Sequence, residues 1–279
     1  MSDLDRFAER YEVDAESLRR WVIEAMVLGA VSDGEFDQRE SETIVGVIAS
    51  QAEFAGIQPD ELRADLERAF QGIVADGFHV RLHALAGALP RYAHRVIAFR
   101  AAVLVAFANG RLDNDEFSFL RQMQKVLGIT EADVAQAFEQ GNEPDDAFLT
   151  ADPEPVEAYL DCLLMAAAVD RELAEEELAT IIAFVISRDE FDGLDEDVMR
   201  DWIRERLQRY ASGGIAARLR TLPDELPEPE QRENAWGLAT SMVVIDGEVR
   251  ASEKEFIEQL RVALDLDEAR ADIVLRGVE

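Results

Sequence analysis

The chain has 279 residues, 48% hydrophobic and 31% charged, which predicts a globular protein of one large or two medium domains. Its 59 Asp and Glu outnumber 28 Lys and Arg, and the resulting net charge of -31 excludes autonomous binding to a nucleic acid backbone, which needs clustered basic side chains. The single cysteine, Cys162, excludes an intrachain disulfide framework and a four-cysteine zinc site.

The N-terminus, Met1-Ser2-Asp3-Leu4-Asp5, is acidic and lacks the apolar stretch of a signal peptide. The longest apolar run, near residues 101–108, falls far short of the ~18 residues that span a bilayer. These features predict a cytoplasmic location and no transmembrane segment. With only two lysines, Lys125 and Lys254, the acidity fits either a high-salt habitat or a functional acidic surface.

Apolar residues recur at helical spacing along the chain, as in Leu18, Val22, Ala25, Met26 and Gly29. The predicted helices are 15–32, 37–54, 59–74, 77–89, 92–108, 113–128 and 131–140, with counterparts 137 residues later. No run alternates as a strand would, so the expected class is all-α. The polar, Pro-bearing stretch 143–155 reads as a linker between domains 1–142 and 156–279. A second such stretch, 222–229, aligns with 85–92 and reads as a loop within a domain.

Four segments share one motif: an Asp or Asn, an apolar residue at +3 and a Glu at +7. They begin at Asp33, Asn109, Asp170 and Asp246, at successive intervals of 76, 61 and 76 residues. Sliding the chain by 137 therefore lays the first pair on the second. The overlay reaches beyond the motif without a gap: Glu53, Phe54 and Gly56 meet Glu190, Phe191 and Gly193, and Arg81 meets Arg218. Leu89, Pro90 and Arg95 meet Leu226, Pro227 and Arg232, and Leu127 meets Leu264. This pattern predicts a tandem duplication of one unit carrying two motifs.

Two readings of the motif stand side by side. In the first, Asp-Gly closes one helix and Asp37-x-x-Glu40 or Asp113-x-x-Glu116 opens the next as a capping box. The cap position is Ala174 in the third copy and Arg250 in the fourth, yet the final Glu persists, which hints at a second role. A later box, Ser252 with Glu255, could serve the fourth copy. In the second reading the turns hold a divalent cation. The ligands are drawn from Asp33, Glu35, Asp37 and Glu40; Asn109, Asp113 and Glu116; Asp170, Glu172 and Glu177; and Asp246, Glu248 and Glu253. An EF-hand is excluded, because the oxygen ligands it needs two and four residues upstream are Val31 and Gly29, and apolar or Gly in every other copy.

An Ala-rich helix, then Asp-Gly-Glu-apolar-x-x-x-Glu, then an amphipathic helix, twice per all-helical domain, resembles the tellurite-resistance TerB family. The resemblance covers nearly the whole chain as two tandem TerB-like helical domains, each with two such helix-turn-helix motifs. A membrane-anchored DnaJ-type co-chaperone carries the same fold in its N-terminal part. The resemblance implies a non-enzymatic acidic binding or scaffold module in stress or tellurite and toxic-metal response. It also implies a protein partner associated with the membrane and binding of Ca2+ or Mg2+ as the sole cofactors. Arg171 replaces the motif Gly in copy three, and Asn109 and Arg111 weaken copy two, so copies one and four are the stronger cation candidates.

The remaining chemistry is sparse. Asp76, His79 and His83 fall on one helical face if the helix is continuous, a candidate metal face for a metal-dependent enzyme, while partly exposed histidines are the plainer expectation. Cys162 sits in an apolar run and reads as a buried, inert thiol. Trp21, Trp202 and Trp236 read as core anchors. The alternative to the cation-binding module is a protein-interaction adaptor whose motifs are structural and whose acidity is salt adaptation.

Overall fold

A computed structural model of the chain describes residues 3–10, 13–31, 45–46, 48, 51, 54, 56–108, 112, 114–141, 155–169, 175–244, 249–267 and 271. The described residues form thirteen α-helices and no strand. The chain divides into two compact units, Met1–Glu154 and Pro155–Glu279.

In the first unit α1 is Asp3–Arg10, α2 Ala15–Ala30, α3 Pro59–Asp76, α4 Phe78–Ala88, α5 Tyr92–Ala106, α6 Asn114–Leu127 and α7 Glu131–Gly141. Asp14 caps α2, its carboxylate accepting the Ser17 N–H at 2.8 Å. Pro59 opens α3, where its missing N–H costs nothing. α2 and α5 pack on each other as the central pair; α3 and α4 cover α2, and α6 and α7 cover α5. α5 is buried on every side, because its apolar and alanine positions leave no polar stripe to face water. Burial of Phe99, Ile97, Val103 and their neighbours on this helix stabilises the unit by about 1.5–3 kcal/mol per large side chain.

In the second unit α8 is Val156–Ala168, α9 Glu175–Ile186, α10 Glu196–Arg209, α11 Ile215–Glu225, α12 Pro229–Val243 and α13 Ala251–Ala263. A short 3-10 turn, Asp189–Phe191, precedes α10. α8 and α12 are the central pair, with α10 and α11 against α8 and α13 against α12. α11 and α12 begin and end 137 residues after α4 and α5. Phe54 and Phe191, at the same offset, are both buried, and Gly56 and Gly193 both take positive φ, 90° and 85°.

The local contacts that close each unit repeat as well. Arg95 donates through Nε to the Leu89 carbonyl at 2.8 Å, and Arg232 to the Leu226 carbonyl at 2.7 Å. The same two guanidinium groups reach the Leu127 and Leu264 carbonyls, each at 3.5 Å. Asp265, at φ 56°, holds the left-handed position that Gly128, at φ 63°, holds in the first unit.

Four expectations need correction. The stretch 222–229 is not a loop throughout: α11 continues to Glu225 with Pro223 in its last turn, since Leu222 and Leu226 are fully buried and hold the chain there. α1 was not foreseen, though it buries Leu4, Phe7 and Ala8. The predicted helix 77–89 starts at Phe78, because Gly77 at φ 86° breaks the chain away from α3. Trp21 is half-buried, whereas Trp202 and Trp236 are core residues. The predicted helix 37–54 lies mostly outside the described residues, as does the stretch 143–154.

Candidate functional site

The motif turns start where the central helices end. At the described end of α2, the Val31 N–H donates to the Val27 carbonyl at 3.0 Å; at the end of α5, the Phe107 N–H donates to the Val103 carbonyl at 3.0 Å. Gly29 of α2 lies directly on Ala102 of α5, so that a Cβ at 29 would sit 2.9 Å from the Ala102 carbonyl oxygen. With that contact and a helical rise of 1.5 Å per residue, the two helix ends that deliver the first two motifs lie within about 20 Å of each other.

Most of the predicted ligands, Asp33, Glu35, Asp37, Glu40, Asn109, Asp113, Asp170, Glu172, Asp246 and Glu248, lie outside the described residues. Glu177 is in α9, with its side chain outside the described set. Glu116 is half-buried in the first turn of α6. Glu253 is buried in the first turn of α13, and its carboxylate accepts the Arg250 N–H at 2.7 Å. The glutamate at +7 thus caps the helix from within, using a backbone donor that every residue type but proline carries. That is a structural cause for its persistence where the capping partner is missing. Ser252, expected to open a later box, lies inside α13, whose N-cap is Arg250.

Beside the helix ends, each unit holds a buried carboxylate on its first central helix that sequence reasoning missed. Glu24 of α2, 5% exposed, accepts two hydrogen bonds from Arg81 of α4, both at 2.7 Å. Asp161 of α8, 4% exposed, accepts from Arg218 Nε of α11 at 2.6 Å and from Arg206 Nε of α10 at 2.8 Å. Arg218 is also bridged by Glu225, and Arg206 by Glu157 at 3.2 Å. Asp161 and Arg218 stand 137 residues after Glu24 and Arg81. The available signal was a lone acid inside an apolar run, Ile23-Glu24-Ala25-Met26 and Leu160-Asp161-Cys162-Leu163. A charge at a buried stripe position demands a partner.

A second buried network belongs to the first unit. Tyr92 donates to Asp133 at 2.6 Å, and Thr130 donates to the same carboxylate at 3.1 Å. Arg100, 2% exposed, reaches Asp133 at 3.3 Å and also the Gln136 amide. Burial, followed by the Asp133 charge, pushes the Tyr92 phenol well above its usual range. The network ties α7 to α5 in place of an apolar contact.

Cys162 is buried, and burial beside Asp161 pushes its thiol far above the range in which a thiolate forms. The three histidines separate. His94 is buried, 1% exposed, contrary to the expectation of exposure, while His79 and His83 are exposed on α4. Asp76 does not share their helical face: it belongs to α3, across the Gly77 break, and pairs with Arg81 at 3.4 Å. Among the described residues, no three His, Cys, Asp or Glu side chains gather as a metal site, and no helix is long and apolar enough to cross a membrane.

A central pair of apolar helices, sheathed by amphipathic ones and pinned by a buried carboxylate–arginine bridge, defines a small all-α domain whose acidic turns sit at the helix ends. The family model described as tellurite resistance protein TerB matches residues 21–139, so the first unit contains a TerB-like domain. The match takes in α3 to α6 whole and nearly all of α2 and α7. No curated protein and no solved structure matches the chain.

Proposed function

We propose that the chain is a tandem of two TerB-like domains, 1–142 and 156–279, acting as a non-catalytic acidic scaffold in stress or toxic-metal response. Its motif turns bind Ca2+ or Mg2+, and a protein partner docks on the scaffold from the cytoplasm. The observation that carries the reading is the TerB-like match over 21–139, within which two buried helices deliver two acidic turns from neighbouring ends. The tandem arrangement draws support from helix bounds and arginine-to-carbonyl contacts that repeat at one offset. The net charge of -31 adds a field that concentrates cations around the turns.

The test is thermal unfolding with Ca2+, Mg2+, Mn2+ and Zn2+ at matched ionic strength, against the double variant Asp33→Asn, Asp246→Asn. A ligand that binds only the folded chain raises Tm. The expected result is a cation-specific rise that the variant loses. An equal rise in both proteins, reproduced by NaCl, would mean screening of the net charge and would remove the cation sites.

The Glu253 cap favours a second reading, an interaction adaptor whose motif is purely structural. Under that reading the cations leave Tm unchanged at fixed ionic strength, and partner capture weakens with added salt.

A further inference from the structure

The acidic residues are unevenly spread. Between Glu67 and Asp113 the only Asp or Glu is Asp76, in a chain that holds 59 of them. That carboxylate is taken by Arg81, whose guanidinium is in turn held by Glu24. α4, which lies in this stretch, carries no carboxylate at all and presents His79 and His83 to solvent. The two imidazoles stand at i and i+4 of one unbroken helix, which puts their Cβ atoms on one face about 5–6 Å apart. Two histidines at this spacing on one helical face can share a metal, the arrangement that helical zinc motifs use.

A second residue orients the pair. Gln122 of α6 places its side-chain amide 2.9 Å from His79 Nδ1. With the amide oxygen toward the ring, it accepts the Nδ1–H and leaves the Nε2 lone pair free for a metal. The same helix packing that holds α6 against α4 therefore selects the ring orientation.

We propose that His79 and His83 form an open two-imidazole chelate for a borderline transition-metal ion, Cu2+, Ni2+ or Zn2+. Imidazole nitrogen prefers these ions, whereas Ca2+ and Mg2+ require oxygen ligands, which this face lacks. Among the described residues no third His, Cys, Asp or Glu joins the pair, so water or an outside donor completes the coordination. The second unit carries Ala216 and Arg220 at the corresponding positions, so the chain holds one such site. The site is independent of the acidic turns and chemically opposite to them, taking soft to borderline ions where those turns would take hard ones.

The experiment uses the full chain, stripped with EDTA and kept in excess MgCl2 to occupy carboxylates. CuSO4 is followed by electron paramagnetic resonance, and NiSO4 and ZnSO4 by calorimetry. The expected result is one site per chain with hyperfine coupling to two imidazole nitrogens, and affinity in the order Cu2+ above Ni2+ and Zn2+. His79→Ala and His83→Ala each weaken Ni2+ binding at least tenfold, and Gln122→Leu weakens it about tenfold by freeing the ring. All three positions are on the surface side of α4 and α6, and circular dichroism checks that the fold is kept. If the double variant H79A/H83A binds Cu2+ with the same nitrogen coupling and affinity as the natural chain, the proposal is overturned. The variant Asp33→Asn, Asp246→Asn should keep the Ni2+ site, and H79A/H83A should keep any Mg2+ response, so the two assignments fail separately.

Discussion

Gly29 and Ala102 touch through backbone: the missing side chain of Gly29 is what lets α2 approach the Ala102 carbonyl of α5. Any Cβ there would need the two central helices to separate. Gly29→Ala should therefore destabilise the first unit by about 1–3 kcal/mol, although alanine is the better helix former. Denaturant unfolding of the variant measures this; a gain in stability would mean that the helices adjust freely.

Asp161 stands between two arginines that have left water to reach it. Asp161→Ala leaves Arg206 and Arg218 close together, with Glu157 and Glu225 as their remaining partners. The expected loss is about 3–5 kcal/mol, the range for breaking a buried pair by removing one partner. Asp161→Asn, which keeps an acceptor of the same shape, should lose less. Chemical unfolding monitored by Trp202 fluorescence would report the second unit directly, since Arg206 lies over that ring at 5.4 Å.

Glu253 and Arg250 offer a contrast between a side-chain and a backbone role. Glu253→Ala removes the acceptor for the Arg250 N–H and should cost about 1 kcal/mol, as other N-terminal caps do. Arg250→Ala keeps that N–H and loses only an exposed ion pair, so its effect should stay within about 0.5 kcal/mol. Equal losses from the two substitutions would show that the arginine side chain, and not the backbone cap, matters at this helix start.

Alkaline pH should unfold the chain before it affects its arginines. Burial raises the Cys162 thiol above its ordinary 9.0, and raises the Tyr92 and Tyr210 phenols above their ordinary 10.0. The unfolded chain therefore releases these protons at lower pH than the folded one. Stability is fully present below about pH 9 and falls as pH rises beyond it, because the unfolded state then binds fewer protons. Urea titrations at steps from pH 8 to 11 should show this decline. Cys162→Ala should flatten the part that begins near pH 9, and alanine is the residue at the equivalent place in the first unit, Ala25.

The helices were legible because their signal is local. The spacing of Leu18, Val22, Ala25 and Met26 predicts a helix over 15–32, and the chain folds as Ala15–Ala30. The same periodicity placed α5, α6 and α7 to within two residues. Gly77 was the local exception, since a glycine in an apolar run reads equally well as helix or as break, and only its positive φ decides. That break removed Asp76 from the histidine face.

Sequence alone determined the all-α class, the -31 charge that excludes nucleic acid, and the 137-residue offset at which residues and helix bounds recur. These follow from composition and from near-neighbour spacing, which a linear string carries in full. Tertiary structure decided which charges are buried and what they meet. Glu24 and Arg81 are 57 residues apart, as are Asp161 and Arg218, and His79 and Gln122 are 43 apart. Nothing within one helical turn of Glu24 announces its arginine. The pairing exists because packing α4 against α2 removes water from both groups and leaves each as the other's only strong partner.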